Sequence, residues 1–376
     1  MCHRNRVPSR LCLAVLGAAA SVIALWACSV PVFRYAIEHW AADSYQAIVF
    51  HRGPLSEAHQ SLVQELTPAG MAGRLHANVT LRLIDLDQES NPEVLAFWRQ
   101  LGAEALPWLV ARYPTGAGLP GNIVSATLSE PAIQKLLDSP FRKEISQRLG
   151  HGQSAVWVLL ECGEPTKDES AAKLIESRLA YLATVLKLPT LDQQDIVNGL
   201  VSVAQEDLKL EFSILRLSRT DPGEQALVKM LLGTEPDLEE TSEPIAFPVF
   251  GRGRALYALV GKGINHETLD EACSFLIGSC SCQVKELNPG VDLLLAADWD
   301  ALMKSPQAGT ARALPVSADR AASAPVTVTI SGNNDNGNTA SSPKASRLYS
   351  ILGISIASVF GVVVLISAGI LFSRKK

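Results

Sequence analysis

A chain of 376 residues with 47% apolar side chains is long enough for two domains with cores of their own. Its formal charge of -5, with no basic run interleaved with aromatics, excludes nucleic acid as an expected partner. Seven cysteines are an odd number, and the count alone defines no disulfide framework.

The first ten residues carry Arg4, Arg6 and Arg10, and an uncharged run follows from Leu11 to Phe33. Residues 1–33 therefore have the layout of a secretory signal or a membrane anchor, which predicts export. Within them "LWAC", Leu25 to Cys28, resembles a bacterial lipoprotein signal in which Cys28 becomes the lipidated first residue, although Trp26 departs from the small or β-branched residue usual there. Cleaved signal, uncleaved anchor and lipidation site stay open as alternatives.

Residues 44–151 begin with "YQAIVFH", a strand, followed by the Gly53-Pro54 turn and the helical pattern of "SEAHQSLVQEL". "ANVTLRLIDLD" alternates as a second strand. "NPEVLAFWRQLG" predicts a helix with Asn91 as N-cap, Pro92 at its first position and Gly102 as its stop. "ALPWLVARYP" and "GNIVSATLS" read as two further strands, closed by "EPAIQKLLDSPFRKEISQRLG", a helix interrupted near Pro140. The order is β-α-β-α-β-β-α.

Residues 152–303 repeat that order. "SAVWVLLECG" is a strand, "ESAAKLIESRLAYLATVLKL" a helix, "LKLEFSILRLSR" a strand and "DPGEQALVKMLLG" a helix. "PIAFPVFGRG" and "RALYALVGKG" form a hairpin, and "NHETLDEACSFLIG" is the closing helix, with Leu269, Ala272, Cys273 and Leu276 on its apolar face. An internal duplication is the simplest account.

Residues 304–346, rich in Ala, Ser, Pro, Asn and Gly, predict a flexible stalk. Residues 347–376 hold an uncharged run from Leu348 to Phe372, long enough to cross ~30 Å of hydrocarbon as a transmembrane helix. Arg374, Lys375 and Lys376 directly behind it place the C-terminus in the cytoplasm. The expectation is a bacterial cell-membrane protein whose central part is periplasmic or otherwise extracytoplasmic.

A β-α-β-α-β-β-α order found twice, with a proline starting the third strand of each half at Pro107 and Pro248, resembles the thioredoxin-like fold in tandem. The resemblance implies an α/β fold class, cis bonds at both prolines, and a Cys-x-x-Cys loop after the first strand of each half. The first half has "HRGPLSEA" there; the second has "ECGEPTK", with Cys162 in place and Pro165 where the partner thiol belongs. A dithiol exchanger needs a second thiolate to resolve the mixed disulfide, so the units are expected to be degenerate, with no catalytic pair and no resident cofactor. At a helix N-terminus Cys162 alone would be acidified, with Glu161 and Glu164 beside it opposing thiolate formation.

"GSCSC" after the closing helix puts Cys280 and Cys282 on one side of an extended segment. Inert or disulfide-bonded thiols, a redox role, and a soft-metal site for copper or zinc completed by Cys162 or a partner all stay open. Arg252, Arg254 and Lys262 among glycines read as hairpin turns, Asp85 and Asp87 as solvated charges at a strand end, and His51 and His59 as exposed residues. The expected function is non-enzymatic: binding or scaffolding beside an envelope protein complex at the membrane. The alternative is thiol or copper handling by Cys162, Cys280 and Cys282.

Overall fold

The computed structural model describes residues 28–67, 76–279, 285–304 and 327–331. Helix α1 (Val32–His39) precedes strand β1 (Tyr45–His51), helix α2 (Glu57–Glu65), strand β2 (Val79–Asp85), helix α3 (Pro92–Gln100), and strands β3 (Trp108–Arg112) and β4 (Asn122–Thr127). Asn91 caps α3 by accepting from the Glu93 amide, as its position before Pro92 predicts. The helix expected to break near Pro140 is two helices, α4 (Glu130–Leu137) and α5 (Pro140–Gly150). Proline at the first position of α5, after the Ser139 cap, starts a new helix because its missing N–H needs no partner there.

The second half runs β5 (Ala155–Glu161), α6 (Pro165–Val185), a short α7 (Gln193–Val197), β6 (Glu211–Ser218), α8 (Gln225–Leu232), β7 (Ile245–Phe250), the two-residue strands β8 (Arg254–Ala255) and β9 (Leu259–Val260), and α9 (His266–Ile277). It closes with β10 (Val291–Asp292) and α10 (Trp299–Lys304). On α9, Leu269, Ala272, Cys273 and Leu276 are fully buried, the face their helical spacing predicts. The stretch expected as a stalk contains strand β11, Thr327–Ser331, which pairs antiparallel with β6.

The fold is mixed α/β with two sheets. The first has order β2-β1-β3-β4; the second has order β10-β8-β7-β5-β6-β11, with β9 also on β7. In each, the first strand of the half lies parallel to the second and antiparallel to the third. The registers align the halves residue by residue: Phe50 faces Trp108 where Leu160 faces Ile245. A one-residue error in such an alignment would invert every side chain, so the match is informative.

The halves share one core, beside a small cluster of Ile48, Phe50, Ile84 and Val110 within the first. One apolar cluster joins Tyr45, Val49, Leu109 and Ile133 of the first to Leu215, Leu227, Phe247 and Leu295 of the second. Tyr113 donates to the Lys229 carbonyl at 2.5 Å, and the Phe141 amide donates to buried Glu224 at 3.0 Å, both across that junction. The division at residues 151 and 152 is therefore a boundary between sheets within one packed body.

The N-terminal boundary also moves. Cys28, Val30, Val32 and Phe33, expected in the membrane segment, lie in a second cluster with Trp157, Leu179, Phe212 and Leu276 of the second half. A six-residue piece of a long apolar run is compositionally the same whether protein or lipid covers it, and here β5, α6, β6 and α9 of the second half supply the cover. Gly251 makes this approach feasible: at φ 57°, it would set an added Cβ 2.8 Å from the Ala36 Cβ. Among the described residues no helix is long and apolar enough to cross a membrane; Leu11–Ala27 and Leu348–Phe372 lie outside them.

Candidate functional site

Strand β5 ends at Glu161, and three residues, Cys162 to Glu164, turn the chain into α6. Gly163 takes φ 90°, a conformation that costs a side chain and suits glycine. Asp168, one turn into the helix and 4% exposed, bends back and accepts from the Cys162 amide at 2.8 Å and the Gly163 amide at 3.0 Å. The carboxylate thus holds the loop as a closed unit. Around it Lys167 bridges Glu243 at 2.8 Å and Glu164 at 3.1 Å, and Arg216 joins Glu161 and Glu169.

This environment works against the half-buried thiol. Burial pushes the Cys162 pKa up and the Asp168 charge adds to it; the Glu164 backbone hydrogen bond and Lys167 only partly offset these. Asp168, on the first turn of α6, sets a carboxylate beside the loop amides of Cys162 and Gly163, and its negative charge opposes the acidifying effect of the helix N-terminus. Pro165, where a second thiol would stand, is the first residue of α6.

The first half repeats the loop without sulfur. Gly53 matches Gly163 and also has positive φ, 56°, and its amide donates to Asp85 at 3.2 Å. Asp85 further accepts from the Asp87 amide and the Gln88 side chain, so it is a turn cap and not a catalytic acid. His51 meets the Gly53 carbonyl and His59 meets Ser56, each within its own loop.

Of the two prolines expected to be cis, Pro107 is: Leu106–Pro107 is the one cis peptide bond among the described residues. Pro248 is not, and the register shows why it was the wrong residue. It lies inside β7 opposite Trp157, whereas Pro244, immediately before the strand, holds the place of Pro107.

Cys28, Cys162 and Cys273 carry free thiols. Cys28 is 5% exposed, its thiol pushed up mainly by burial, and the next residue is tied down, with the Ser29 amide and hydroxyl both donating to Asp195. Cys273 is buried in the core and its pKa is raised by desolvation. Cys280 and Cys282 lie outside the described residues. Among the described residues no three His, Cys, Asp or Glu side chains converge as metal ligands.

One polar centre escaped sequence reasoning. Asp292, 3% exposed, receives Arg254 at 3.1 Å and the Lys285 ammonium, which also reaches Asp43 at 2.7 Å and the Ala41 carbonyl. The Asp43 amide donates to Asp292 at 2.7 Å and Tyr45 to the Asp292 carbonyl. This centre stitches the lead into β1 to the last strand of the other sheet. Its only sequence signal is a single carboxylate inside the apolar run "GVDLLLAA". Arg252 is equally committed, donating to the Ile37 and Glu38 carbonyls at the C-terminus of α1, so the "GRGR" cations have no anion left to bind.

The loops at the ends of β1 and β5 thus resemble each other in backbone and lack the chemistry of an exchange site. The chain matches no known protein family, no curated protein and no solved structure.

Proposed function

We propose that this chain is a membrane-tethered, extracytoplasmic binding or scaffolding protein built from two degenerate thioredoxin-like units, accessory to an envelope complex in a bacterial cell. The observation that carries the reading is the Cys162 loop: Pro165 stands where the second thiol would be, and Asp168, bonded to the Cys162 and Gly163 amides, sets a negative charge against a thiolate. The shared strand order and register of the two sheets support the tandem-unit part. The basic leader and the uncharged run before Arg374 support the membrane part.

The competing role, thiol or copper handling, requires Cys162, Cys280 and Cys282. Serine at all three positions is expected to leave a deletion strain fully complemented, with the protein still recovered from alkali-washed membranes. Loss of complementation by a folded triple variant would sink the scaffold reading in favour of the thiol one.

A further inference from the structure

A sheet edge exposes a row of unpaired N–H and C=O groups, and a folded protein covers or blunts it. The four sheet ends here are β2, β4, β10 and β11. Strand β10 is two residues long, β4 carries a register shift against β3 at Ala111/Arg112, and β11 is itself the five-residue strand laid on the outer side of β6. Strand β2 is the longest of the four, seven residues with no described strand on its outer side.

By register β2 is the counterpart of β6, since Tyr45 faces Val79 where Ala155 faces Phe212. The same edge therefore occurs twice, occupied once. The Leu86 amide and the Asn78 carbonyl both point at β1, so alternation turns the backbone groups of Leu81 and Leu83 outward. Leu83 is 47% exposed, an apolar side chain on an edge with no described strand beside it. The one charge between Val79 and Ile84, Arg82, leans along the surface toward Glu89.

We infer that β2 is a docking edge that takes an extended segment of a partner protein by strand addition. The occupant's chemistry is set by the one that fills the matching edge: β11, Thr-Val-Thr-Ile-Ser, is uncharged and β-branched at four of five positions, and it runs antiparallel. The inference rests on the scaffold reading and gives that scaffold its contact surface.

The test uses the full chain in detergent and a synthetic peptide of residues 326–331, VTVTIS. Amide hydrogen exchange at Leu81 and Leu83 is expected to be fast in the free chain and to slow about tenfold or more on saturation with the peptide. Leu83→Pro deletes an outward N–H while sparing the β1 ladder, and Leu83→Lys places a charge on the edge; each should weaken peptide binding about tenfold. Leu83→Lys must keep the parent melting temperature, which separates lost docking from lost folding. Protection of these amides before peptide is added, protection confined to β6, or no saturable binding overturns the inference. Complementation by the cysteine-free variant is independent of that result, so the scaffold reading stands or falls separately.

Discussion

Asp168 shows how one buried carboxylate decides what a neighbouring residue can do. Its two hydrogen bonds close the Cys162–Gly163 loop, and its charge stands against ionisation of the sulfur. A thiol whose pKa is raised is protonated at neutral pH, so alkylation of Cys162 by iodoacetamide should stay slow until the pH exceeds the ordinary thiol range of about 8.5. Asp168→Asn removes the charge and keeps an acceptor, and is expected to shift the alkylation profile of Cys162 toward lower pH. An unchanged profile would remove Asp168 as the cause.

Asp292 makes the matching case for stability. It is the shared acceptor of buried Arg254 and Lys285, and deleting it leaves Arg254 with no carboxylate and Lys285 with Asp43 alone. Removing one partner of a buried pair costs about 3–5 kcal/mol, and Asp292→Ala should show that loss in urea unfolding. Double replacement that also removes Lys285 should recover part of it.

At the scale of elements, the seating of α1 depends on a residue with no side chain. Gly251 combines positive φ with the 2.8 Å approach to the Ala36 Cβ, so Gly251→Ala adds backbone strain to a clash with that methyl group. The expected cost is about 2–4 kcal/mol, read as a lower melting temperature together with release of α1 to proteolysis.

The elements were largely legible because period and punctuation are local: Asn91-Pro92 marks a helix start wherever it lies. Register was not. "SEPIAFPVF" offers two prolines, and only pairing with β5 shows that the strand starts after Pro244 and runs through Pro248. Cys28 to Phe33 failed for a related reason, since apolar composition specifies dryness and leaves open what excludes the water. The Cys162 loop was legible as a missing dithiol; its Asp168 clamp was not, because a first-turn aspartate is ordinary in any helix.

At the scale of the whole molecule, the segment beyond α10 belongs to the fold through β11. A chain ending at Lys304 retains all three apolar clusters and is expected to fold, but with the outer side of β6 bare. Light scattering should then show self-association that the full chain lacks, and a monomeric truncated protein would deny β11 its role as edge cover.

The direction of β11 carries a mechanical consequence. Ser331, the last residue of β11, lies opposite Glu211, the first residue of β6. A load drawn through residue 332 along the strand axis would meet the whole β11–β6 ladder in shear, every pair resisting together. The same ladder pulled from its other end and sideways would give way one pair at a time.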